Sequence, residues 1–210
     1  MKFSDSIEPN VSPEIIALSK KIKAQGIPTV LPITLNELLL TLSIKQPLSI
    51  LEIGTAVGLS GSAMLLTCKN AHLTTIEKDE DSFNQAKNTF ESFGLSDKVK
   101  QFLGDAGDII RFLDTQYDFI FLDGAKARYF DYLSDLKRLL KPNGVLFADN
   151  VLFRGYIDGG IKFNHRDNTI VRNMRAFLSD FINDKNYICT IHEKGDGILV
   201  AYKKWTKLNF

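Results

Sequence analysis

Apolar residues recur at helical spacing near the start of the chain: Ile15, Ile16, Leu18 and Ile22 form one face, opened by Ser12-Pro13 and closed by Gly26-Ile27-Pro28. Thr34, with Glu37 three residues later, predicts a capping box opening a second helix through Leu38, Leu39 and Leu42. From Leu48 the pattern becomes short apolar runs alternating with amphipathic stretches. The runs predict strands over 49–53, 73–77, 99–103, 119–123 and 145–149. Between them, 82–93 and 129–140 predict helices, ended by Gly94 and by Pro142-Asn143-Gly144. A last helix over 170–182 leads to two alternating runs, 187–193 and 198–203, joined by Lys194-Gly195-Asp196-Gly197, the pattern of an antiparallel hairpin.

Repeated βα units imply a doubly wound α/β fold: a mostly parallel seven-stranded sheet that ends in an antiparallel hairpin. At 210 residues and 44% hydrophobic content the chain can bury one sizeable core, so a single domain over 1–210 is expected, with 1–46 as an N-terminal helical segment. The charge balance, 26 basic against 25 acidic side chains, neither demands nor excludes a nucleic-acid partner. Cys68 and Cys189 are far apart in sequence, which fits a reducing compartment better than a disulfide scaffold. The N-terminus lacks the apolar core of a signal peptide, and no apolar stretch reaches membrane-spanning length. A cytoplasmic protein with no membrane partner is expected.

Two strands end in oxygen ligands. Phe119-Ile120-Phe121-Leu122 runs into Asp123, and Val145-Leu146-Phe147-Ala148 into Asp149-Asn150. Open α/β sheets bind ligands at the carboxyl ends of their strands. If these strands are neighbours, three hard oxygen donors converge, a set suited to Mg²⁺ or a similar cation rather than zinc. Taken singly, each reads better as a turn-forming Asx residue; taken together, with Lys126 nearby, ligation is the better reading.

A third strand, Leu51-Glu52-Ile53, enters Gly54-Thr55-Ala56-Val57-Gly58-Leu59-Ser60, a glycine turn followed by a helix start whose free N–H groups suit a ligand's oxygens. Tight strand-to-helix packing would require the same glycines. Glu77, about 20 residues beyond the turn, stands where ribose hydroxyls are bound in dinucleotide folds. Gly104-Asp105-Ala106 at the next strand end can bracket an adenine, while Asp105 can also cap the helix through Ile109 and Ile110.

This succession, Leu-Glu-Ile-Gly-Thr-Ala-x-Gly, Thr-Ile-Glu, Gly-Asp-Ala, Phe-Leu-Asp-Gly-Ala-Lys and Ala-Asp-Asn-Val-Leu, resembles the metal-dependent, S-adenosylmethionine-dependent O-methyltransferases of the caffeoyl-CoA and catechol type. The resemblance runs from about Leu48 to the C-terminus. It implies a Rossmann-like fold, S-adenosylmethionine as cofactor and Mg²⁺, Mn²⁺ or Ca²⁺ as metal. The implied metal ligands are Asp123, Asp149 and Asn150, and the implied cofactor contacts are Val30, Glu52, Gly54, Thr55, Gly58, Ser60, Glu77, Gly104, Asp105, Ala106 and Asp123. Asp123 and Lys126 are the implied catalytic pair, Lys126 matching the lysine regarded as general base, although a solvated surface lysine beside Arg128 is the plain alternative. A homodimer is also implied, with the N-terminal helices as candidates for contact.

Val151-Leu152-Phe153-Arg154-Gly155 and Gly195-Asp196-Gly197-Ile198 resemble a bacterial branch that methylates wobble 5-hydroxyuridine in tRNA. In that base the 5-hydroxyl lies beside the 4-carbonyl, a chelating pair like a catechol's. Arg154, Lys162, His165, Arg166, Arg172 and Arg175 follow the metal ligands and can meet anticodon phosphates, with Phe153, Tyr156 and Phe163 available to stack on bases. A solvated helix face with aromatics in the core or in a dimer contact is the competing reading. Segment 156–168, containing Gly159-Gly160, is expected to be a mobile lid. His165 and His192 read as ordinary loop and strand residues. The functional expectations are therefore tRNA 5-hydroxyuridine methylation, methylation of small catechols or phenols, or a non-catalytic cofactor- or RNA-binding protein.

Overall fold

The computed structural model describes residues 11–159 and 164–205. Its elements are α1 (Pro13–Ala24), α2 (Pro32–Lys45), β1 (Ser49–Ile53), α3 (Leu59–Thr67), β2 (His72–Glu77), α4 (Glu80–Ser92), β3 (Val99–Leu103), α5 (Ala106–Phe112), β4 (Tyr117–Leu122), α6 (Tyr129–Leu139), β5 (Leu140–Asp149), α7 (Asn168–Asn183), β6 (Tyr187–His192) and β7 (Ile198–Lys203). The strands form one sheet in the order β3-β2-β1-β4-β5-β7-β6, parallel through β5 and antiparallel at β7 and β6. This is the expected Rossmann-like α/β arrangement. No described helix is long and apolar enough to cross a membrane.

Because side chains alternate along a strand, each central strand supplies both faces of the sheet. Phe119 and Phe121 of β4 join Ile50 and Phe147 in the core beneath α1–α4, whereas Ile120 and Leu122 join Leu51 and Leu146 beneath α5–α7. All eight are buried. Continuous apolar runs, rather than alternating ones, are therefore what this sheet requires.

Several boundaries differ from expectation. Ser12 caps α1 as expected, its hydroxyl accepting from the Ile15 N–H. The capping box at Thr34 does not form. Pro32 occupies the first helical turn and pre-sets its φ, so the cap position moves three residues earlier, from Thr34 to Leu31, with no side-chain cap. The Thr34 hydroxyl is left buried without a partner, and Glu37 bonds His192 Nδ1 at 2.7 Å instead. The chain leaves α6 at Leu139 and goes straight into β5, so Pro142-Asn143-Gly144 lies inside a ten-residue strand rather than after a helix. The 82–93 helix starts at Glu80, with the Asp79 carboxylate accepting from the Ser82 N–H.

Candidate active site

The carboxyl ends of β1, β2, β3, β4 and β5 open onto a cleft of about 680 Å³, closed on one side by Pro28–Leu31 ahead of α2. Val30, Gly54, Thr55, Ser60, Glu77, Gly104, Asp105, Ala106, Asp123, Lys126, Asp149 and Asn150 all line it. The expected donor and acceptor residues thus face one space.

On the β1 side, both glycines of the turn are required by packing. Gly54 has φ +99°, and a Cβ there would overlap the Asp123 backbone carbonyl. Gly58, at φ +84°, backs onto Ala86 and Phe90 of α4 and does not reach the cleft wall. Ligand access comes from what the turn leaves free. α3 begins at Leu59 without a side-chain cap, so its leading N–H groups lack a side-chain acceptor. Glu52 also lies behind the wall, fully buried, where its carboxylate accepts from Ser60 Oγ at 2.5 Å and Thr75 Oγ1 at 2.7 Å. Burial pushes its pKa up to about 7, against the pull of those two hydroxyls. Glu52 therefore orients Ser60 rather than facing a ligand.

Glu77 closes the turn from β2. Its Oε2 accepts the Ala56 N–H at 2.8 Å, and its Oε1 accepts those of Lys78 and Asp79 at 2.8 and 2.9 Å. Asp105 caps α5 through the Gly107 N–H at 2.8 Å, as expected, and stands 3.8 Å from the Arg128 guanidinium on the cleft wall. Arg128 also packs over the Tyr132 ring, 5.7 Å from its centroid, and both residues line the cleft beside Asp105. The sequence did not single out this pair; Arg128 immediately precedes α6, four residues before Tyr132, and that spacing was the available signal.

On the β4–β5 side the two aspartates end neighbouring strands, Leu122 pairing with Ala148 one residue before them. Asp149 is 2% exposed; burial, then repulsion from Asp123, raises its pKa to about 7. Burial likewise raises Asp123, with Lys126 pulling it down. Asn150 sits at φ +59°, its N–H on Asp149 Oδ1 at 2.7 Å. Among the described residues no group of three or more His, Cys, Asp or Glu side chains is gathered as a metal site. The donor set is a buried carboxylate, a half-buried one that repels it, and an amide, which fits a hard divalent cation that would relieve the repulsion. Tyr129, fully buried, places its hydroxyl 3.2 Å from the Leu122 carbonyl and 3.1 Å from that of Asp149, tying the two strand ends together.

The expected substrate contacts divide. Arg154, Arg166 and Arg172 are exposed. Arg175 is instead used structurally: its guanidinium donates to the Ile157 carbonyl at 2.9 Å and that of Tyr156 at 3.2 Å. Phe153 is buried in the core edge-on to Tyr156, so its ring is not offered for stacking. Arg154 packs over that ring, 5.7 Å from its centroid. Gly160, Lys162 and Phe163 lie outside the described residues.

A Rossmann-like sheet whose first glycine turn and acid-tipped central strands share one cleft defines a class I methyltransferase. The sequence model of the O-methyltransferase family matches residues 20–204, and the chain belongs to that family. It is accordingly an S-adenosylmethionine-dependent O-methyltransferase. A catechol O-methyltransferase of Niastella koreensis is 31% identical over 151 residues, spanning 68% of each chain. A Staphylococcus aureus structure provisionally named a caffeoyl-CoA O-methyltransferase superposes with a TM-score of 0.83 at 27% identity, covering 91% of this chain and 93% of that one. A Bacillus cereus O-methyltransferase, solved with S-adenosylhomocysteine, gives 0.78 at 25% identity, covering 96% and 94%.

Proposed function

We propose that the protein transfers the methyl group of S-adenosylmethionine to one of two adjacent oxygens in a cation-dependent reaction, and that its acceptor is wobble 5-hydroxyuridine in tRNA. The observation that carries the reading is the pair of neighbouring carboxylates, buried Asp149 and half-buried Asp123, facing the same cleft as the Gly54–Ser60 turn. Asp123, Asp149 and Asn150 would hold Mg²⁺ or a similar cation, which lowers the pKa of a bound acceptor hydroxyl.

The chain's own residues supply the rest. The α3 amides and Ser60, steadied by Glu52, receive the donor's carboxylate and amine end, and Glu77 its ribose. Gly104, Asp105 and Ala106 border the adenine. Lys126, on the cleft wall, takes the acceptor proton on Nζ as the acceptor oxygen attacks the methyl carbon and the sulfonium leaves as a thioether. The exposed Arg154, Arg166 and Arg172, which follow Asp149–Asn150 in the chain, support an RNA acceptor, as exposed guanidinium groups meet phosphates.

A small catechol is the second reading, favoured by the 31% identity to a relative of that name. Purified protein is offered tRNA carrying 5-hydroxyuridine and, separately, catechol, each with and without a chelator. Methylated tRNA that disappears on chelation is the expected result. Catechol turnover with untouched tRNA would overturn the acceptor assignment, and activity indifferent to chelation would overturn the cation.

A further inference from the structure

The turn that follows the acidic strand ends is unusually strained. Asn150, Phe153, Arg154 and Gly155 all have positive φ, at +59°, +40°, +58° and +73°, and three of the four carry side chains. Such a turn persists only where surrounding contacts over-determine it. Those contacts come from the β6–β7 turn, over forty residues downstream.

The Val151 N–H donates to the Gly197 carbonyl at 3.0 Å, and the Leu152 N–H to the Asp196 carbonyl at 2.9 Å. The Arg154 N–H donates to Asp196 Oδ1 in a short hydrogen bond. Gly197, at φ +86°, lies so close to Leu152 that a Cβ would come within 2.8 Å of the Leu152 nitrogen. Across the same turn, a Cβ on Gly195 would meet Thr34 Oγ1 at 3.3 Å and Leu31 Cδ1 at 3.4 Å. The β6–β7 turn is therefore wedged between the α2 wall of the cleft and the segment after Asn150.

We infer that Asp196 is a positioning residue for the acceptor side of the cleft, its carboxylate and carbonyl together holding the left-handed turn that presents Asn150 and Arg154. It does not line the cleft; it acts through the backbone at 152 and 154. The inference rests on the reading that the Asp123–Asp149 side receives the acceptor.

Asp196→Ala removes the side-chain acceptor, and Asp196→Asn keeps Oδ1 while removing the charge. Asp196→Ser, with the acceptor atom drawn back, stands in if the alanine variant does not fold. Amide exchange of Leu152 and Arg154 is measured in the full chain, with S-adenosylhomocysteine affinity and transfer to both candidate acceptors. In Asp196→Ala exchange at Arg154 is expected to quicken about tenfold or more. Transfer, as kcat/KM for the acceptor, falls at least comparably while S-adenosylhomocysteine affinity stays within about twofold. Asp196→Asn should recover both exchange protection and transfer. Unchanged exchange in Asp196→Ala overturns the inference, as does a parallel loss of S-adenosylhomocysteine affinity. Asp196→Asn that recovers protection but not transfer also overturns it, since the charge would then act directly. Should the wild type methylate neither acceptor, the proposed function fails, while the exchange comparison still decides whether Asp196 holds the turn.

Discussion

Gly54 and Asp123 meet backbone to backbone: a Cβ at Gly54 would lie 2.9 Å from the Asp123 carbonyl carbon. The end of β1, which leads into the glycine turn, is thus pressed against the end of β4, which carries Asp123. Gly54→Ala combines a forbidden φ with overlap against backbone that cannot rotate aside. It is expected to cost at least about 2 kcal/mol, read by denaturant unfolding, and to abolish S-adenosylhomocysteine binding by the protein that remains folded.

Glu77 accepts three backbone N–H groups, from Ala56, Lys78 and Asp79. Charge-assisted bonds of this kind contribute about 1.5–3 kcal/mol each, so Glu77→Ala should weaken the donor by roughly ten- to a hundredfold, through an unfastened Ala56 and the loss of the proposed ribose contact. Calorimetric titration with S-adenosylhomocysteine reads this. Glu77→Gln keeps one acceptor oxygen but turns its NH2 against an N–H on the other side, so it should lose nearly as much; wild-type affinity in either variant would show that these bonds do not hold the donor's turn.

Glu52 sets a pH dependence of stability. With a folded pKa of about 7 against 4.5 in the unfolded chain, the folded protein keeps its proton between those values while the unfolded chain releases it. Stability attributable to this group therefore falls as pH rises from about 4.5 to 7, by on the order of 3 kcal/mol in all. Glu52→Gln should be more stable than the wild type at pH 8 and indistinguishable near pH 4.5 in thermal melts. The same gap at both pH values would show that Glu52 does not titrate as its burial implies.

Tyr129→Phe leaves the buried carbonyls of Leu122 and Asp149 without the hydroxyl they share. A loss of about 1–3 kcal/mol is expected in urea unfolding, with transfer reduced more than donor affinity because the two acidic strand ends are no longer tied. Donor affinity falling first would place Tyr129 on the other half of the site.

What the sequence made legible was local or strongly patterned. The central strands are continuous apolar runs because both sheet faces are covered, and the residues ending them, Asp123, Asp149 and Glu77, fall at the cleft because parallel strands share one carboxyl end. What it hid depends on tertiary neighbours. Thr34 and Glu37 have the spacing of a capping box, yet Pro32 starts the helix first and His192, 155 residues from Glu37, takes its carboxylate. Phe153 and Arg175 resemble RNA contacts in order and composition, but one fills the core and the other holds carbonyls of its own chain. Gly58 and Glu52 belong to the motif without reaching the cleft, because one packs on α4 and the other supports Ser60 from behind.

The reversal of direction at β7 has a topological consequence. Asp149 pairs with Ile198, so the hairpin turn lands at the carboxyl end of β5, a place that a seventh strand running parallel would have reached only with its own last residue. A two-strand excursion thereby brings residues from the end of the chain to the catalytic edge without disturbing any of the crossovers that shape the donor side. Change in the length or sequence of that hairpin is felt first at the two surfaces its turn touches, the segment after Asn150 and the Leu31–Thr34 wall of the cleft.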